Sequence, residues 1–241
     1  MEKILPALAI ISAACYVFGY YLKPFIVAGF LLQVAYLAVR GLTLERMPLV
    51  GPHDTLFFLS ASIVLFMITV ARKMRAAKTV VHATVGLAVF FMAVSFFYRP
   101  HNSPLPPVLM TFWFETHVAF SFFAYALFGI AGVIGTLSLF RGDQGQAVIR
   151  DKVILVGYCF FSAAMIFGGI WAYLAWGTYW LWTPKELWTV ILWIFYSFYL
   201  HARLRPWWAG RPLSSLAVAG FLIVMMTYLG VSLFMKSSHS F

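Results

Sequence analysis

Six histidines, His53, His82, His101, His117, His201 and His239, are the side chains in this 241-residue sequence best suited to hold a metal. His82, His117 and His201 fall within apolar stretches, and His239 lies just past one. Ionisable residues inside membrane-type segments are functional candidates by default. The second feature is the stretch 171–201, WAYLAWGTYWLWTPKELWTVILWIFYSFYLH, which holds six of the nine tryptophans: Trp171, Trp176, Trp180, Trp182, Trp188 and Trp193. An interfacial aromatic belt places scattered Trp at a membrane surface. Four Trp between 176 and 188, beside Gly177 and Pro184, read instead as a flat shelf for a large planar ligand, porphyrin foremost. Imidazole is an axial haem ligand, and two imidazoles above and below the ring complete six-coordinate iron. His117 and His239 are the candidate pair for an outer site holding b-type haem non-covalently on Trp176, Gly177, Trp180, Trp182 and Trp188. His82 and His201, matched in depth, form a second possible pair at an inner site. His53 and His101 read as interface residues satisfied by neighbours.

The elements that must position these residues follow from composition. The chain is 63% hydrophobic and only 10% charged, where a soluble domain is about a quarter charged. Hydropathy marks eight spans, near 4–22, 24–40, 55–72, 79–98, 111–140, 153–175, 186–203 and 213–235. Continuous apolar runs of this length must be helices, since only helices satisfy their own backbone in lipid. The expectation is an all-α polytopic membrane protein, one transmembrane domain over residues 1–241, with no separate leader before the first span. Thr183-Pro184-Lys185-Glu186 opens a new helix, because Pro fits the first helical position and an acid suits the first turn. The Trp-rich stretch is therefore helix, short aromatic loop, helix.

Charge sets the orientation. If the loop after span six faces outward, the inner loops carry Lys23, Arg72, Lys73, Arg75, Lys78, Arg141, Arg150, Lys152, Arg203, Arg205 and Arg211, eleven of the seventeen bases. The outer side keeps Lys3, Arg40, Arg46, Arg99, Lys185 and Lys236. The positive-inside rule then places both termini and the Trp-rich loop outside. The net charge of +10 thus encodes orientation in a lipid bilayer, not nucleic-acid binding. Two further outer loops are expected, 40–54 with His53 and the proline-rich 98–110 with His101, the latter stiff and extended. Cys15 and Cys159 lie within apolar runs and read as small core residues, not a disulfide framework.

The residues WAYLAWGTYWLWTPKELWTVILWIFYSFYLHAR resemble the WWD signature of the CcsA branch of the cytochrome c assembly family, which includes CcmC-type haem handlers and HemX-type proteins. The segments 106–129, 45–65 and the tail MKSSHSF are similar to the family's external-histidine stretch, first outer loop and second external histidine. The resemblance implies that His117 and His239 are external axial ligands and that His201 matches a histidine within the membrane that takes haem on its way out. It implies presentation of haem to CXXCH motifs of apocytochrome c outside a bacterial cytoplasmic membrane. It also implies a ResB/CcsB-like partner and a share in a haem lyase complex. Two positions depart from the pattern. Thr183 replaces the acid of the signature, and His82 has no counterpart; one reading is that His82 supplies in cis the inner ligand a partner normally gives.

No nucleophile or acid/base pair is required of the chain, because reactivity resides in haem vinyls and substrate thiols. Other readings are a HemX-like regulator or scaffold of haem synthesis, a haem-bearing electron-transfer subunit, and a transporter gated by the aromatic loop. The last lacks the inverted repeat of coupled transport.

Overall fold

The computed structural model describes residues 4–142 and 145–230. Among the described residues the chain is helical without strands: α1 Leu5–Phe18, α2 Pro24–Leu44, α3 Pro52–Met74, α4 Lys78–Ser95, α5 Phe112–Arg141, α6 Ala147–Trp176, α7 Pro184–Ala202 and α8 Arg211–Met225. A π-helical turn, Met226–Gly230, continues α8. Each helix falls on one of the eight expected segments. Six of them, α2 to α6 and α8 with its extension, are long and apolar enough to cross a membrane. The described part of α1 has 14 residues, and α7 has 19, interrupted by Lys185 and Glu186. A proline in the first or second position starts α1, α2, α3, α7 and α8, where its missing N–H costs nothing.

The chain divides into two compact units at Pro106. The first contains α1 to α4 around α3, which is buried along most of its length. Hydrogen bonds from buried side chains link its helices. Ser12 donates to Gly29 O at 2.8 Å, the Tyr16 hydroxyl donates to Gln33 Oε1 at 2.5 Å, and Gln33 Nε2 donates to Phe57 O at 3.1 Å. This run of bonds links α1, α2 and α3. Further along, Arg40 makes two 3.2 Å bonds to the Asp54 carboxylate, and reaches Asn102 Oδ1 at 2.7 Å and His101 O at 3.2 Å. Arg46 also donates to His101 O at 3.3 Å. The proline-rich segment is thus tied down through its backbone carbonyl.

That arrangement corrects the expected outer loop 40–54. α2 continues to Leu44 and α3 begins at Pro52, so Arg40, His53 and Asp54 are helical and buried. The pairing of Arg40 with Asp54 neutralises both charges and lets the helices extend past the apolar run. The expected extended stretch 98–110 likewise closes with a 3₁₀ turn, Pro107–Leu109. Here Met110 N donates to Pro107 O at 3.1 Å, a bond that proline can still accept.

The second unit contains α5 to α8. Small residues let the helices approach closely. A Cβ on Gly135 would lie 2.7 Å from Ser214 O, one on Gly157 2.8 Å from the Phe128 ring, and one on Gly220 2.7 Å from the Tyr196 hydroxyl. Arg150, 1% exposed, ties three helices together. Its Nε donates to Asp151 Oδ1 at 3.0 Å and the Tyr199 hydroxyl at 2.8 Å, and its Nη1 to Ser214 Oγ at 2.8 Å. The sequence reading placed Arg150 in the inner loop, but α6 begins at Ala147 and takes it inside. Cys15 is half-buried and Cys159 is exposed. The expectation of two core cysteines is corrected at Cys159, because an apolar run faces lipid as readily as core.

Candidate functional site

The Trp-rich loop is built by its caps. α6 ends where Gly177 takes φ 75° and its N–H returns to Tyr173 O at 2.8 Å, a left-handed C-cap that glycine adopts without strain. Thr178 Oγ1 then donates to Trp180 O at 3.2 Å. Trp182 has φ 55°, an uncommon left-handed conformation for a bulky residue. α7 opens with a capping box: Thr183 Oγ1 accepts from Glu186 N, and Glu186 Oε2 accepts from Thr183 N at 2.8 Å. The same carboxylate oxygen accepts from Leu181 N at 3.0 Å. Glu186 therefore holds the loop that precedes the helix as well as the helix start.

The aromatic rings do not make one flat shelf. Trp171 and Trp176 meet edge to face at 4.7 Å and 68°, and Trp180 and Trp182 at 6.5 Å and 78°. Edge-to-face geometry is what aromatic quadrupoles favour, so crowded Trp rings facet instead of aligning. Trp171 is the anchor: it is 3% exposed, and its Nε1 donates to Val108 O at 2.7 Å. Tyr179 stacks on Tyr173 at 4.6 Å and 11°. Trp182 is 65% exposed, while Trp180 is half-buried with its Nε1 shielded and, among the described residues, without a hydrogen-bond partner. Trp188 is half-buried in the second turn of α7. Trp193 pins α7 to α6 by donating to Ser162 Oγ at 3.0 Å.

His117 lies in the second turn of α5, against the last turns of α6. Its Nδ1 is 2.8 Å from Ala164 O, and its ring is parallel to Trp171, at 12° with centroids 6.5 Å apart. A carbonyl only accepts, so in the neutral ring Nδ1 carries the proton and Nε2 keeps the lone pair. This second bond to a carbonyl is what orients metal-ligating histidines. The seat exists because position 168 is glycine: a Cβ there would lie 2.6 Å from Nδ1.

The other histidines differ in how their nitrogens are used. His201 is exposed at the opposite end of α7, and its Nδ1 lies 2.7 Å from Ser197 O, so it too is held, with no partner for Nε2 among the described residues. His53 spends both nitrogens: Nδ1 donates to Ser95 O at 3.0 Å, and the Tyr36 hydroxyl donates to Nε2 at 2.9 Å. His101 contributes its backbone carbonyl to Arg40 and Arg46. His82 belongs to the first unit and His201 to the second. His239 lies outside the described residues.

The second unit thus brings together His117, Trp171 and Trp176 beside the capped loop. Sequence reasoning missed Gly168, the carbonyls of Ala164 and Val108, and the bond from Glu186 to Leu181. Only the Gly168-Gly169 pair inside an apolar helix signalled a close approach. Among the described residues no group of three or more His, Cys, Asp and Glu could hold a bare metal ion. Iron already held in a macrocycle asks the protein for only one or two axial ligands. A tautomer-fixed imidazole beside faceted indoles and a shielded indole N–H fits that demand.

The model of the cytochrome C assembly protein family matches residues 50–239. The chain is similar to the cytochrome c biogenesis protein CcsA of Chlamydomonas reinhardtii, 34% identical over 152 residues, covering 58% of this chain and 43% of that one. It is similar to the CcsA of Prochlorococcus marinus strain AS9601, 29% identical, covering 80% and 75%, and to that of Mesostigma viride, 28% identical, covering 85% and 80%. In fold it resembles cytochrome c heme lyase CcmF, with a TM-score of 0.66 at 18% identity, over 96% of this chain and 48% of that one. The matched region takes in α3 to α8, the Trp-rich loop and His117, and the chain belongs to the cytochrome c assembly protein family.

Proposed function

We propose that this chain holds b-type haem non-covalently at the outer membrane face and presents it to apocytochrome c. His117 carries the reading, because its Nδ1 is committed to Ala164 O and its Nε2 is left to ligate. His239 would be the second histidine to hold it. Trp171 backs the His117 ring, and Trp180 offers its N–H to a ligand oxygen. Tyr179 and Trp182 supply exposed aromatic cover. Haem, when bound, supplies the vinyl groups to which apocytochrome thiols add, so the chain's share is binding and orientation. His201, at the other end of α7, would serve as an inner ligand through Nε2. A ResB/CcsB-like partner would complete a haem lyase complex in a bacterial cytoplasmic membrane.

The test is the absorption spectrum and haem stoichiometry of the purified protein with each histidine replaced in turn. His117→Ala and His239→Ala are expected to lose the outer haem, while His53→Ala and His101→Ala keep it. Purification without haem under every condition would overturn the reading.

A further inference from the structure

His82 differs from every other described histidine in a helix: neither of its ring nitrogens makes a hydrogen bond among the described residues. It lines a cavity of about 290 Å³ in the first unit, with Tyr16, Tyr20, Tyr21, Gly86 and Val89 among the walls. His82, Val85, Gly86 and Val89 form one face of α4, since residues three and four apart are neighbours on a helix. The opposite wall comes from the end of α1 and the turn into α2. The Tyr20 ring lies against the imidazole at 4.5 Å and 35°. Gly86 opens the space, because a Cβ there would meet nothing within 4 Å. Tyr20 and Tyr21 are exposed on the chain surface beside it.

We propose that this cavity binds the head of a quinone-type amphiphile, a flat six-membered ring bearing ring oxygens on an apolar tail. The ring packs beside Tyr20, a ring oxygen accepts the His82 N–H, and the tail leaves between Val17 and Val89 into lipid. Three features select this chemistry. The cavity is at the bottom of the range for small-ligand sites, roughly 300–1,000 Å³, which suits one ring and not a macrocycle. The imidazole has no carbonyl to fix its tautomer, unlike His117 and His201, so it is not set up as an iron ligand. An acyl chain would leave both nitrogens unsatisfied in an apolar surrounding, which is costly.

The test is calorimetric titration of the purified full-length protein in detergent with a short-tailed benzoquinone, and with an alkylbenzene of the same tail. One saturable site per chain is expected, with the alkylbenzene weaker by about tenfold or more, the size of one lost hydrogen bond. His82→Leu should weaken quinone binding by a similar factor, and His82→Gln, which keeps a donor, should restore part of it. Gly86→Leu, whose Cβ would meet nothing within 4 Å, builds into the cavity and should abolish binding in a protein of unchanged thermal stability. His117→Ala should leave quinone binding intact, so failure here and failure of the haem reading are separable. Equal binding of the two ligands, or wild-type affinity in both His82→Leu and Gly86→Leu, would overturn the proposal. So would loss of haem on His82→Leu without any quinone binding, which would assign the imidazole to iron.

Discussion

Thr183 stands where the resemblance expects an acid, and its surroundings show what that position has to do. It caps α7 through its hydroxyl, and Glu186 returns the bond to its N–H. Thr183→Asp should therefore keep the melting temperature, whereas Thr183→Ala should lower stability by about 1 kcal/mol, the usual worth of an N-cap. Glu186→Ala should cost more than Thr183→Ala in the same thermal scan, because the Leu181 and Thr183 N–H groups lose one acceptor together. The capping box at Thr183 is complete without the acid of the signature. Gly168 gives a sharper test of the site. Gly168→Ala places a methyl 2.6 Å from His117 Nδ1 and should displace the ring from Ala164 O. The expected result is a shifted haem spectrum in a folded protein; an unchanged spectrum would remove His117 from the iron. His117 was legible from residue type and depth alone. Its acceptor was not, because Ala164 lies 47 residues away and acts through a backbone carbonyl.

At the scale of helices, the eight apolar segments could be read directly, and their ends could not. α2 and α3 run past the expected boundaries because Arg40 and Asp54 bury as a pair, and α6 starts early because Arg150 finds Asp151, Tyr199 and Ser214. A window of hydropathy scores each such arginine as a loop residue, since the partner that neutralises it is distant in sequence. Removing one member of a buried pair leaves an unpaired charge and costs about 3–5 kcal/mol. Asp54→Ala should show that loss in thermal unfolding and should also free the 98–106 segment, seen as faster proteolysis there. The paired replacement Arg40→Met with Asp54→Leu should recover most of the stability, and equal damage from single and double variants would refute the pairing. The same reasoning explains the tryptophans. Their number was plain in the sequence, but the edge-to-face meeting of Trp171 with Trp176 rests on a Trp171 ring held by Val108 O, 63 residues away.

At the scale of the whole molecule, orientation rests on charge. Setting aside the two buried arginines, Arg40 and Arg150, leaves ten bases on the expected inner side and five on the outer. The asymmetry survives the correction, so the positive-inside assignment stands as an expectation. In a background with Cys15 and Cys159 replaced by Ser, an impermeant maleimide should label Leu181→Cys in intact cells and Leu204→Cys only after permeabilisation. The opposite pattern would invert the topology. Length adds a consequence of its own. α5 and α6 have 30 residues each, a rise of about 45 Å, against a hydrocarbon layer about 30 Å thick. The surplus either tilts the pair or lifts its Trp-bearing end clear of the acyl chains. Bilayer thickness therefore acts as a setting on the site: thin membranes raise the indoles towards water-soluble partners, and thick ones draw them down among lipid headgroups.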